Sequence, residues 1–440
     1  MSLLGSDKTS SIFDIHDLRE ALYQELHTRP FPVLSSPVRV SHLALLNEGH
    51  GVEDEYAALA ELAKRYSGNP PGEAAACYYQ NFGGFELRWE KHTEFSTYTI
   101  IAPASGEPGF DKTALEMVPE SWLSALPGKL LVGVHLLVVD EQYISVHKED
   151  IKPLFEGQRL IGGYTQDDLA TVWTSFRLHS DHFSRVLVRS RNLNSCQTGR
   201  LVQRLLEIET YRVMALMALP MAREVSAGVN AMDQELAQIN AQISEIQHGE
   251  DERQLLKQLT ALAALVERFH SDTNYRFGAT NAYYELVAGR MSYLKSDEVE
   301  GVQSIPEFLM RRLTPAIRTC ESAHRRLEDL SCRIARAGEL LNTRVDLTLK
   351  EQNQGLLASM NKRSEVQLRL QQMVEGMSVA AISFALVGLI RILLTAIKDG
   401  GWVDINLPLM ISISVPTVIT VVWTVSRQVR KRLTRPRALD

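Results

Sequence analysis

A chain of 440 residues with 47 Lys+Arg against 53 Asp+Glu, 45% of it hydrophobic, has the length for two or three domains and a sizeable buried core. Ordinary apolar and charged fractions and a mean hydropathy of -0.11 argue against collagen, wholesale disorder and a polytopic membrane protein. The net charge of -6 gives no basis for nucleic-acid binding, and four scattered cysteines (Cys77, Cys196, Cys320, Cys332) without a CxxC argue against a disulfide framework or a Cys-type zinc site.

The N-terminal MSLLGSDKTSSIFDIHDL has no basic region followed by a long apolar run, so it does not read as a signal peptide. Residues 12–195 alternate short runs rich in Val, Ile, Thr and aromatics with helical stretches. The predicted strands are 37–46, 76–82, 85–92, 95–102, 129–139, 171–179 and 183–190, with Gly83-Gly84 as a hairpin turn. EDEYAALAELAKRYS (53–67) reads as an amphipathic helix. The expected fold is an α/β domain on a largely antiparallel or mixed sheet.

From 197 to 376 the apolar period lengthens to about three and a half, the signature of a helical, coiled-coil-like stalk. The first helix is predicted to end near Pro220. Met232, Leu236, Ile239, Ile243 and Ile246 step 4-3-4-3, and HGEDE (248–252) interrupts the seam. Leu256, Leu259, Leu262, Leu265 and Phe269 continue a stripe, and another helix covers about 280–296. From about 305 one very long helix is predicted. It carries Leu327, Leu330, Ile334, Ala337 and Leu341, then Val366, Leu370, Met373 and Met377. Such a stripe needs cover along its whole length, and self-association supplies it, so a homo-oligomer is expected.

Residues 378–425 read as a transmembrane hairpin. SVAAISFALVGLIRILLTAI (378–397) has one charge, Arg391, and the length to cross a hydrocarbon core of about 30 Å. LPLMISISVPTVITVVWTV (407–425) returns after a short loop holding Asp399 and Asp404. Basic residues crowd the tail, 426–440, and the approach to the first span (Lys362, Arg363, Arg369), so both termini and the bulk of the chain are expected in the cytoplasm. Arg391 lies about 20 Å into its span by helix rise, where an arginine costs about 2.5–3.5 kcal/mol. It either snorkels to the interface or faces an oligomer interior.

Few residues suggest chemistry. Arg29, Arg39 and His42 form a polar set beside an extended loop fixed by Pro30 and Pro32; packing across the sheet explains it, and the alternative is that it holds an anion or carboxylate. His179, Asp181 and His182 could present metal ligands, but turn polarity explains them as well. Glu90 and His92 share one face of a strand, which a solvated sheet face accounts for. Glu207, Glu209 and Arg212, with Arg200 and Arg204, are spaced for ion pairs along one helix. The common catalytic and nucleotide motifs are missing, so no enzyme is expected and no cofactor or metal is named.

An α/β domain, a long helix entering the membrane and a two-span hairpin together resemble the layout of CorA-type magnesium channels. That family's Gly-Met-Asn motif is replaced here by Lys398-Asp399-Gly400-Gly401-Trp402. ELHTRPFPVLSSPVRVSHLALL (25–46), KHTEFSTYT (91–99), VWTSFRLHSDHFSRVLV (172–188), GRLVQRLLEIETYRVMALMALP (199–220) and VQLRLQQMVEGMSVAAIS (366–383) are similar to a bacterial family of predicted membrane-anchored proteins of unknown function. That resemblance implies the bacterial inner membrane, with the lipid bilayer as partner. The expected function is a non-enzymatic, membrane-anchored homo-oligomer that senses or scaffolds. The alternative is a CorA-like pore.

Overall fold

The computed structural model describes residues 16–19, 22–23, 31–72, 75–105, 108–145, 147–245, 249–294, 297–399 and 406–433. Arg29 and Asp404 of the expected site residues, and Ile246 of the expected seam, lie outside them. By its contacts the chain divides into two units, Met1–Gly338 and Glu339–Asp440.

The first unit is built on a nine-stranded mixed sheet in the order β2-β3-β4-β1-β5-β8-β7-β6-β9. The strands are β1 Val38–Leu46, β2 Cys77–Asn81, β3 Glu86–Lys91, β4 Phe95–Pro103, β5 Lys129–Asp140, β6 Ile161–Thr165, β7 Ala170–Thr174, β8 Ser184–Ser190 and β9 Asp297–Glu298. All seven predicted strands form, the 171–179 run stopping at Thr174. Among the described strands only β5 and β8 pair in parallel, with one isolated parallel bridge between Ile161 and Gln303. The sequence pattern misses β6, IGGYT, because Gly162-Gly163 looks like a turn. A Cβ on Gly162 would stand 2.1 Å from the Val172 carbonyl oxygen, so the glycine marks a close approach of β7 within the sheet.

The two faces of the sheet are covered differently. Helix α1 (Val52–Arg65) packs on one, where Leu43, Leu45, Leu87, Trp89, Tyr98 and Ile100 meet Leu59 and Leu62. The short helices α2 (Glu120–Ser124) and α3 (Lys148–Ile151) add Trp122 and Ile151 to that side. Each such buried side chain contributes about 1.5–3 kcal/mol relative to exposure. The other face is covered by α4 (Ser195–Leu216), with help from α6 (Gly249–Ser292) and the start of α7 (Ile305–Asp399). An Asn194–Gln197 capping box starts α4, each side chain bonding the other's backbone N–H.

The first helix does end near Pro220: α4 stops at Leu216, four residues before the proline. The proline itself sits in the first turn of α5 (Ala218–Glu245), where its missing N–H costs nothing. Met232, Leu236, Ile239 and Ile243 of α5 are buried as the heptad spacing requires. On α6 the stripe departs in part from the expectation. Leu259 and Leu262 are buried as expected, but Leu256 is exposed, and Leu255 and Val266 continue the buried stripe, stepping 4-3-4. The helix expected at 280–296 is the last part of α6. Leu327, Leu330, Ile334, Ala337 and Leu341 of α7 are all buried. Asp233 of α5 receives Arg326 and Arg333 of α7, at 3.5 and 2.5 Å.

The second unit holds the remainder of α7 and α8 (Leu407–Leu433). α7 is a single 95-residue helix with Pro315 inside it. Each of the two helices contains a stretch long and apolar enough to cross a membrane, and 6% of each stretch is buried. The five Ser and Thr hydroxyls of 407–425 all donate to carbonyls of their own helix, as at Ser412 to Pro408 (2.9 Å) and Thr420 to Pro416 (2.7 Å). That removes the donors which hydrocarbon could not satisfy.

Candidate functional site

Strand pairing builds one wall of the site. In register, His42 of β1 lies opposite Thr99 of β4, and Thr99 opposite Arg88 of β3. The neighbouring row on the same face is Ala44, Thr97 and Glu90, because residues two apart share a face. Beyond it stand Phe95 and His92, their rings stacked at 4.3 Å.

α4 builds the opposite wall. Val202, Gln203, Leu206, Glu207, Thr210 and Tyr211 recur at helical spacing along one stripe. The segment at Pro32 and Leu34 closes one end. It is held by the Leu34 N–H donating to the Ser195 carbonyl at 3.1 Å. A Cβ on Gly199 would fall 1.6 Å from the Pro32 carbonyl oxygen, so only glycine lets this segment lie on α4. Between the walls is a cavity of about 240 Å³.

The polar groups of the cavity are tied together across the two walls. His42 is buried, with Nδ1 2.8 Å from the Thr99 hydroxyl and Nε2 3.1 Å from the Thr210 hydroxyl. Burial, helped by His92 and Arg88, lowers its pKa to about 3, so the ring is neutral at physiological pH. Arg88 donates Nε and Nη2 to one Glu90 oxygen, at 2.9 and 2.5 Å. On the other wall Glu207 accepts from Gln203 at 2.9 Å and pairs with Arg290 of α6. Among the described residues two arginines and two glutamates therefore line the cavity around a neutral imidazole. The arrangement suits reversible binding of a small polar molecule, being concave, mostly preformed and lined by few polar groups among apolar ones.

Of the three residues expected to bind an anion, the structure brings His42 here. Arg39 is three residues away on β1, an odd spacing, so it belongs to the opposite face, where its Nη2 donates to Ser105 O at 3.3 Å. Glu90 and His92 do share a face, but α4 covers it, so it is not a solvated surface. Arg88, Thr99, Thr210 and Arg290 went unmarked in the sequence. The alternation of Arg88, Glu90 and His92 along β3 was the available signal. Glu207 takes Arg290 from α6 rather than Arg200 or Arg204. Those two lie over the rings of Phe31 and Tyr293. Arg212 and Glu209 pair as the spacing suggests.

The His179 loop is wired differently from a metal site. His179 Nε2 lies 3.0 Å from the Ser175 hydroxyl and Nδ1 3.5 Å from Glu156. Asp181 accepts from the Phe183 N–H and from Arg185. Ser175 and His179 are 3% and 5% exposed, which seals this Ser–His–Glu alignment from any substrate and makes it a loop clasp. Among the described residues no three His, Cys, Asp or Glu side chains gather as a metal-binding set.

In the second unit Arg391 is exposed on α7, and its carbonyl accepts the Thr395 hydroxyl at 2.8 Å. Asp399 ends the helix, also exposed.

Fold and site define an α/β protein with a polar cavity under a covering helix and two helices of membrane-crossing length. The chain belongs to the family described as Protein of unknown function (DUF3422), which it matches over residues 14–433. No curated protein and no solved structure matches it significantly.

Proposed function

We propose that this protein is a non-enzymatic sensor, anchored in the bacterial inner membrane as a homo-oligomer, whose N-terminal unit binds a small polar ligand on the cytoplasmic side. The cavity between the sheet and α4 carries this reading. Its charged groups come from β3, α4 and α6, so an occupant would bridge the sheet to helices that lead on toward α7. Anchoring is supported by the two apolar stretches and by the hydroxyls of 407–425 turned onto their own backbone. Basic residues on one side of the hairpin support the orientation. Self-association is supported by Val366, Leu370, Met373 and Met377, a 4-3-4 stripe that is exposed on the single chain.

A CorA-like pore would use the same long helix and hairpin. A ring of Arg391 side chains would repel cations, and the Gly-Met-Asn motif is missing. Magnesium flux into proteoliposomes separates the two. The sensor reading expects flux no greater than in protein-free vesicles. Conduction that Arg391→Leu enhances would replace it with the pore.

A further inference from the structure

We infer that the cavity takes a small zwitterion with an apolar side chain, an α-amino acid about the size of leucine. This rests on the sensor reading and adds the class of ligand. The argument starts from hydrogen-bonding capacity. Arg88 spends Nε and Nη2 on a single oxygen of Glu90. Nη1 keeps its donors, and the second Glu90 oxygen keeps its lone pairs. Arg290 uses Nε on Glu207, leaving both terminal nitrogens as donors. The cavity thus offers guanidinium edges to a carboxylate and a carboxylate oxygen to an ammonium.

Charge balance disfavours a doubly charged ligand. Among the described lining residues Arg88 and Arg290 offset Glu90 and Glu207, the buried His42 is neutral, and His92 stands at the Phe95 end. A dianion would meet two carboxylates, and a dication two guanidiniums. A molecule with one charge of each sign satisfies both without leaving a buried charge unpaired. Size points the same way: about 240 Å³ lies below the roughly 300–1,000 Å³ of pockets that take drug-sized ligands. The side-chain end is defined by the walls. Val40 and Ile101, paired across β1 and β4, are one row beyond His42 and Thr99. Leu34, Val202 and Leu206 join them in the lining, so an apolar pole adjoins the charged groups.

Isothermal titration of the full chain in detergent tests this with four probes: L-leucine, 4-methylpentanoate (no ammonium), 3-methylbutylamine (no carboxylate) and succinate. Leucine is expected to bind, and each probe lacking one charge to bind about tenfold more weakly or worse. Glu90→Gln keeps an oxygen for Arg88 but loses the anion, so it should reduce leucine affinity by about tenfold while sparing 4-methylpentanoate. Val202→Phe fills the apolar pole and should abolish binding with circular dichroism unchanged. If it unfolds the chain, Leu206→Met, which changes the shape of that pole at nearly constant volume, takes its place and should weaken the binding of leucine and of 4-methylpentanoate alike. Tighter binding of succinate, or leucine binding indifferent to Glu90→Gln, overturns the zwitterion and leaves a sensor for another ligand. Binding of none of the probes overturns the zwitterion, and loss of any effect of Val202→Phe on a wider metabolite panel overturns the sensor reading with it.

Discussion

His42 shows how a residue's environment sets its chemistry. Its ring is buried and bonded on both nitrogens to threonine hydroxyls, and its pKa falls to about 3. His135 falls to about 4, again chiefly through burial, while its Nδ1 meets the Ser41 hydroxyl at 2.9 Å. Below pH 6.5 the unfolded chain gains protons on both rings that the folded chain refuses. Stability is therefore complete above about pH 6.5 and is lost as pH falls toward 3–4. Urea unfolding of the first unit's fluorescence should show midpoints that drop between pH 7 and pH 5, and His42→Gln should flatten that slope. An unchanged slope in the variant would show that the burial of His42 is not what the acid attacks. The sequence already holds part of this, since His42 belongs to the polar set with Arg29 and Arg39. Its partners are not legible there, because Thr99 and Thr210 meet it through strand pairing and a helix more than 150 residues downstream, contacts that no local pattern encodes.

At the scale of elements, period was the reliable guide and register the weak one. Strands with strict apolar alternation and helices with 4-3 steps formed where expected. The errors have physical causes. β6 was hidden by glycines needed for close strand approach. The α6 stripe keeps Leu259 and Leu262 but takes Leu255 rather than Leu256, since both are leucine and only the packing decides which is inside. Arg39 and His42 were grouped by nearness in sequence, although odd spacing on a strand separates their faces. The contact of the 31–35 segment with α4 rests on Gly199, which gives a sharp test. Gly199→Ala places a methyl against the Pro32 carbonyl. It should destabilise the first unit by about 1–3 kcal/mol, the range for overpacking. Thermal melts would register this, and no change in midpoint would mean the segment does not close the cavity as described.

The whole molecule joins a unit with its own core to a second whose apolar surface is left open on the single chain. Leu389, Ile392, Leu393, Val421 and Trp423 are all exposed there, a pattern water would not tolerate over two helices but lipid would. Composition made this legible from the start, since 20 residues with one charge carry their meaning without any fold. The proposed orientation rests on the flanking charges alone. Protease digestion of sealed inside-out membrane vesicles tests anchoring and orientation together. The account predicts that everything up to about residue 375 and the basic tail are removed, leaving one protected fragment that spans 378–425. Complete digestion would contradict membrane crossing, and a protected full-length chain would contradict a cytoplasmic body.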